Sequence, residues 1–125
     1  MRNNPSTHFI FTYAPYSILY WDSVTRSGER DLILNNAEGF ARSMLEYDNV
    51  SFYCFMQDTE VTEDLSLFMD SIHFSPDINN RMYEQIKAGE YELTADNIDT
   101  VFKDLSRYTE KKVPELTEGL DFREE

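Results

Sequence analysis

The sequence contains few of the residue types on which disulfides and metal centres depend, and it has no long apolar run. It has a single cysteine and two histidines in 125 residues. An intrachain disulfide is therefore excluded, and a metal site built on histidine or cysteine is disfavoured. No apolar run reaches the roughly 18 residues that suggest a membrane span, and no signal peptide is recognisable. The sequence predicts no membrane span and, by default, a cytoplasmic location.

Basic residues are also scarce. The chain has 11 Lys and Arg against 24 Asp and Glu, which gives a formal net charge of −13. A surface of this charge repels phosphate backbones and anionic lipids, so we expect no nucleic-acid binding. Apolar residues, in contrast, are plentiful: 41% of the chain is hydrophobic and 14% is aromatic. This composition predicts a folded domain with a core of its own.

Two apolar segments have the composition of buried strands. Residues 8–13 combine aromatic and β-branched side chains, and residues 50–56 repeat that composition around Cys54. Because successive positions are apolar, we expect both strands to be covered on both faces and Cys54 to be a buried, unreactive thiol. Residues 29–46 lie between them and place apolar side chains at helical spacing. Strand, helix and strand in this order predict a parallel βαβ unit.

The connections and the second half of the chain are less regular. Residues 15–21 are predicted to be irregular with a turn towards helix, and residues 22–28 to be a loop. Ser75 and Pro76 are typical of a helix start, and that helix is expected to end at Gly89.

A further helix is predicted from Thr94 through Leu105. The charged residues 110–125 are predicted to form a weakly ordered tail, which leaves one domain over residues 1–109. Together the elements predict an α/β fold, a partial three-layer α/β/α arrangement of the flavodoxin-like kind with a small parallel sheet flanked by helices.

One pair of residues is suited to proton transfer near neutral pH. Asp70 precedes His73 by three residues, on a loop that leads into the helix at Pro76. This spacing lets the carboxylate accept a hydrogen bond from one ring nitrogen, which fixes the tautomer and leaves the other nitrogen free as a base. The positive end of the following helix dipole favours the neutral imidazole.

A second group of candidates follows the first strand. Ligands of open parallel sheets bind at the carboxyl ends of the strands. The segment after residue 13 is expected at that end, so its candidate ligand-binding residues are Tyr16, Ser17 and Trp21.

Residues 70–79 read Asp-Ser-Ile-His-Phe-Ser-Pro-Asp-Ile-Asn. With the strand and loop at 11–17 and the segment 47–50, this block resembles the C-terminal part of the SGNH/GDSL hydrolase superfamily. The bacterial branch of cell-envelope O-acyltransferases and esterases is the most similar. The resemblance covers most of residues 8–105 and implies a three-layer α/β/α fold in which Asp70 orients His73, the general base. It also implies an acyl ester or glycan-type substrate, no cofactor, and a cell-envelope location if the chain belongs to a longer family member.

The other catalytic elements of that family are missing from the sequence. No Gly-Asp-Ser block and no Gly-x-Asn-Asp block occurs, and Ser17 is the only serine on the expected active-site face before the second strand. Nothing near Ser17 marks the sharp turn that exposes a nucleophile. Two strands are also too few for a stable doubly wound sheet, so the first strand is expected to have an open edge. We interpret the chain as the C-terminal half of an SGNH-like esterase or O-acyltransferase, inactive alone.

Two alternatives stay open at this point. The first is a free-standing acidic α/β module without catalysis, which binds a ligand, a protein partner or a second copy through its open sheet edge or through Tyr16, Tyr20 and Trp21. The second is a metal site that uses Asp58, Asp70 and His73. The scarcity of histidine argues against that site.

Overall fold

The computed structural model describes residues 2–70 and 72–118. Its first half contains two strands and two helices, which are β1 (Phe9–Tyr13), α1 (Ile18–Arg26), α2 (Arg30–Met44) and β2 (Val50–Cys54). Its second half is mostly helical, with α3 (Thr59–Thr62), α4 (Pro76–Ala88), β3 (Glu92–Leu93), α5 (Ile98–Arg107) and α6 (Val113–Thr117). Short 3₁₀ turns lie at Phe55–Gln57 and Leu65–Leu67, and a π-helical turn at Tyr108–Lys112 joins α5 to α6.

The predicted α/β class is confirmed, with helices flanking a small sheet. The strand order is β1-β2-β3, and β1 runs parallel to β2 as the βαβ pattern predicted. The sheet is mixed rather than parallel, because β3 pairs with β2 in the antiparallel sense, with Leu93 opposite Phe52. A strand of two residues is too short to show any periodicity in the sequence, which is why it was not predicted.

Strand β1 lies at the edge of the sheet, as expected, but it is not covered on both faces. Its side chains alternate: Phe11 is half-buried under α2, whereas Ile10 and Thr12 point to the opposite face and are exposed. The prediction of a doubly covered β1 is wrong because α2 packs on one face only. On that face Phe11 stacks on Phe52 with ring centroids 5.7 Å apart, and the Tyr13 hydroxyl donates a 2.7 Å hydrogen bond to the Ala37 carbonyl.

The core forms where α1, α2, α5 and the central strand meet. Phe52 of β2 lies in its middle, and Cys54 is fully buried there as predicted. Burial raises the pKa of the Cys54 thiol to about 12, so the thiol is un-ionised near neutral pH. Other members of this core are Ile18, Trp21, Leu34, Ala41, Leu93, Ile98, Phe102 and Leu105.

Several helix boundaries match the sequence and others differ. Helix α4 begins at Pro76 and ends before Gly89, whose φ of +75° is the left-handed conformation that glycine adopts easily. Residues 22–26, predicted as a loop, form the second half of α1. Helix α5 begins later than predicted because Thr94 and Asn97 first form a turn held by two reciprocal side-chain to backbone hydrogen bonds. No helix in the described part of the chain is both long and apolar enough to cross a membrane.

The helical structure continues beyond residue 109, where a charged tail was predicted. Leu105, Thr109, Val113 and Thr117 recur every four residues and are all buried. The two threonines are tolerated inside because each hydroxyl donates to the carbonyl four residues earlier. Because threonine is polar, this buried four-residue repeat does not stand out as an apolar pattern in the sequence. The expectation of weak order does not hold for residues 110–118, and residues 119–125 lie outside the described residues.

Arg30 connects this C-terminal stretch to the start of α2. Its guanidinium donates hydrogen bonds to the Ser106 carbonyl at 3.0 Å and to the Thr109 hydroxyl at 3.1 Å. Helix α6 packs on α1, and the Thr117 hydroxyl lies 3.3 Å from the Asp22 carboxylate. The segment is therefore part of the domain's packing.

We expect Val113→Ala to lower the free energy of unfolding by about 2 kcal/mol, because it removes two buried methyl groups from a side chain that is 1% exposed. Glu115→Ala, on the exposed side of the same helix, should change it by less than about 0.5 kcal/mol. Urea unfolding followed by circular dichroism measures both. Equal effects of the two variants would mean that α6 does not pack on the domain in solution.

Candidate active site

The Asp70–His73 pair lies on a tight turn between the 3₁₀ turn at Leu65–Leu67 and α4. The turn is closed by two 2.7 Å backbone hydrogen bonds, from the Met69 amide to the His73 carbonyl and from the Ser75 amide to the Leu67 carbonyl. Phe68 and Phe74 form an isolated antiparallel bridge across its base. Ser71, within the turn, lies outside the described residues. The backbone thus holds Asp70 and His73 in one local unit.

The Asp70 carboxylate makes three hydrogen bonds inside this turn. Its Oδ1 accepts the backbone N–H groups of Ile72 at 2.9 Å and His73 at 2.8 Å, and its Oδ2 lies 2.6 Å from His73 Nδ1. These contacts lower the pKa of Asp70 to about 2; the Ile72 amide is the largest cause, followed by the His73 amide and then the imidazole. Asp70 is therefore ionised at neutral pH and oriented by the backbone.

The geometry determines which ring nitrogen of His73 is available. An ionised carboxylate only accepts hydrogen bonds, so Nδ1 carries the proton in the Asp70 contact and the lone pair of the neutral ring lies on Nε2. Nε2 has no hydrogen-bond partner among residues 2–70 and 72–118. The predicted contact between Asp70 and one ring nitrogen of His73 is present, and Nε2 is the ring nitrogen on the side away from Asp70.

The pair is open to solvent. The side chain of His73 is 65% exposed and that of Asp70 is 55% exposed. Two exposed apolar side chains, Met69 and Ile72, lie beside them in the chain. A general base of a hydrolase works in a site from which most water is excluded, and the described residues do not enclose His73 in this way. A further surface is needed to complete such a site.

The candidates after β1 are placed differently. Ser17 is fully buried at the start of α1, where its Oγ accepts the Tyr20 N–H at 3.4 Å as a helix cap. Trp21 is 1% exposed and belongs to the core. Tyr16 is half-buried and packs edge-on against Tyr20, with ring centroids 4.5 Å apart. Ser17 and Trp21 thus present no surface to a ligand in this structure, and Ser17 is not brought to the exposed His73.

A buried ion pair that the sequence analysis did not identify lies at the carboxyl end of β2. The Asp58 carboxylate accepts Nε and Nη2 of Arg81 at 2.9 and 3.1 Å and Nε2 of Gln85 at 2.9 Å. Its side chain is almost fully buried, and the hydrogen bond to Asp58 is the largest cause of the raised pKa of Arg81. Arg81 and Gln85 lie one helical turn apart on α4, which is the only signal of this contact in the sequence.

This pairing also bears on the metal alternative. Both oxygens of Asp58 are occupied by Arg81 and Gln85, and the described residues contain no group of three His, Cys, Asp or Glu positioned to hold a metal ion. The second histidine, His8, lies next to the amino end of β1, where its Nε2 is 2.8 Å from the Ser51 hydroxyl. Asp58 fastens α4 to the end of β2.

Comparison of the chain with family models, with curated proteins and with solved structures gave no match. The resemblance to the SGNH/GDSL hydrolases therefore rests on the residues of the sequence alone.

We expect the Asp70 carboxyl to titrate with a pKa of about 2 in ¹³C NMR, below the ordinary value of about 3.9. Because the folded-state pKa is depressed, the ionised carboxylate stabilises the fold above about pH 4, and this contribution is lost as the pH falls towards 2. His73→Ala should leave the pKa below its ordinary value, since the backbone amides that lower it most remain. A pKa near 3.9 in the unmodified chain would contradict the turn geometry.

Trp21→Ala should act on stability. The indole is buried in the core, so its removal should lower the free energy of unfolding by about 3–5 kcal/mol. Ser23→Ala, at an exposed position of the same helix, is the matched control. Chemical denaturation followed by Trp-independent far-UV circular dichroism measures both. A variant as stable as the control would mean that Trp21 is not a core residue, and would restore it as a contact for a ligand or partner.

Proposed function

We propose that Asp70 and His73 are the orienting carboxylate and general base of an SGNH-like serine esterase or O-acyltransferase, and that this chain supplies the C-terminal half of its catalytic domain. The observation that carries the proposal is the 2.6 Å contact between Asp70 Oδ2 and His73 Nδ1, with Nε2 open to solvent. A carboxylate in contact with one imidazole nitrogen is similar to the Asp-His part of a serine triad, and this similarity supports the proposal.

The chemistry assigns one role to each residue. His73 Nε2 takes the proton of a serine hydroxyl as the serine oxygen bonds to the acyl carbonyl carbon, and it returns that proton to the departing alcohol oxygen. Asp70 keeps Nδ1–H directed towards itself and stabilises the imidazolium that forms. Water or an acceptor hydroxyl then attacks the acyl-serine by the same path, which gives hydrolysis in the first case and O-acyl transfer in the second.

In this proposal the nucleophile and the oxyanion donors come from outside the described residues. Ser17 is buried as a helix cap, and no described serine hydroxyl is hydrogen-bonded to His73. The exposed position of the pair is consistent with this requirement, since it leaves room for a second surface carrying those groups. The chain by itself is therefore expected to lack esterase activity above that of a free imidazole.

A second candidate function is a non-catalytic acidic module. The observation that favours it is that two of the three hydrogen bonds of Asp70 go to backbone amides of its own turn. A turn of this kind is stable whether or not the neighbouring imidazole takes part in a reaction. Only an activity measurement separates the two functions.

The decisive experiment begins with the protein in its own cells. A tag encoded at the C-terminus of the chromosomal gene allows the native species to be sized and purified. The purified species is then assayed with aryl acetates and other acyl esters. We expect a species well above 14.8 kDa that hydrolyses such esters, and a serine that reacts with a fluorophosphonate.

In that species we expect His73→Ala to lower kcat by about 10³-fold or more and Asp70→Asn by about 10²–10⁴-fold, with KM little changed. His8→Ala is the matched control, because it removes the other histidine and should leave kcat unaltered. Full activity of the His73→Ala enzyme would refute the catalytic assignment. A native species of 14.8 kDa without esterase activity would favour the non-catalytic module.

A further inference from the structure

The outer edge of β1 has unpaired backbone groups. β1 is at one side of the sheet, and the Phe9 amide donates to the Asn49 carbonyl next to β2. In a parallel pair, alternate residues direct both backbone groups towards the neighbouring strand. The N–H and C=O groups of Ile10 and Thr12 therefore point away from β2, and no strand of the described chain pairs with them.

Apolar side chains lie on both sides of this edge. Ile10 is 53% exposed on the face that α2 does not cover. On the other face Phe40 of α2 is 47% exposed and packs edge-on against Phe11, with ring centroids 6.0 Å apart. A strand laid along β1 would extend the sheet between these two side chains and cover part of each.

The usual protection of an exposed edge is missing here. Soluble proteins place charges, proline or a bulge on edge strands to prevent pairing with other chains. The sequence of β1 is Phe-Ile-Phe-Thr-Tyr, with no charge and no proline. All 24 acidic residues of the protein lie at or after Asp22, so the segment that contains β1 has only one formal charge, that of Arg2.

We propose that the β1 edge binds an extended segment of a partner polypeptide, which adds a parallel or antiparallel strand to the sheet. The segment should be rich in β-branched or aromatic residues, which suit a pleated and half-covered position. The net charge of the whole chain favours a partner of net positive charge over a second copy, because two copies of a chain with net charge −13 repel each other. This inference does not depend on the catalytic role of His73.

The test uses the intact chain and a synthetic peptide, Lys-Lys-Thr-Val-Thr-Val-Thr-Val-Lys-Lys. A control peptide of the same charge carries proline in place of the first two of its three valines and cannot form a strand. Backbone amide exchange is followed by NMR. At saturating strand peptide we expect exchange at Ile10 and Thr12 to slow by about tenfold, while the proline peptide leaves both amides unaffected.

Two matched variants locate the effect. Ile10→Lys places a charge on the edge and should abolish the protection, and Thr12→Lys is a second edge variant in case the first perturbs the fold. Tyr83→Lys introduces the same charge at an exposed aromatic position of α4 and should bind the peptide as the unmodified chain does. The amides of β2 report that each variant is folded.

Each remaining outcome overturns the proposal. Absence of protection at Ile10 and Thr12 would mean that the edge does not accept a strand. Equal protection by the proline peptide would assign binding to charge alone. A dimer in sedimentation velocity that becomes monomeric in Ile10→Lys would identify the occupant as a second copy. These outcomes are measured by amide exchange and by sedimentation velocity. They are therefore distinct from a failure of the esterase test, which is measured as kcat.

Discussion

The packing of Phe52 between the sheet and α2 is the contact on which the rest of the fold depends. Its ring contacts Phe11 and Tyr13 of β1 and Phe40 of α2, and its backbone pairs with both neighbouring strands. A parallel βαβ unit is stable only when the crossover helix covers the strands it connects. Phe52 is where the helix layer, the central strand and both edge strands meet.

The candidate site is tied to this framework through the carboxyl end of β2. Asp58 follows that strand and binds Arg81, which fastens α4 to it. The turn that carries Asp70 and His73 leads directly into α4, so its lower end is anchored by the same ion pair. The geometry within the turn is local, whereas its location on the domain is a consequence of the buried Asp58. The exposed Asp70–His73 turn is thus positioned by α4, which the Asp58–Arg81 ion pair holds against the end of β2.

The Asp70–His73 pair and the edge of β1 both have polar groups without a partner in the described part of the chain. No described serine is hydrogen-bonded to His73 Nε2, and no strand of the described chain pairs with the outer edge of β1. We propose a nucleophile as the partner of the first and a strand as the partner of the second.

The sequence by itself determined the features that depend on neighbouring residues. The βαβ order, the start of α4 at Pro76 and its end before Gly89 follow from local periodicity and capping, and the Asp70–His73 contact follows from a spacing of three. These features depend on residues a few positions apart, so a short segment of the sequence is enough to predict them.

Only the tertiary structure decided the remaining features, because they depend on contacts between distant residues. The burial of Ser17 and Trp21, the third strand, and the packing of Val113 beneath a charged surface have no local signal. The same holds for Thr109, which is polar in the sequence and buried in the fold because Leu105 and Arg30 satisfy its hydroxyl. These side chains are buried by contacts with residues far away in the chain, and a short segment of the sequence does not show such contacts.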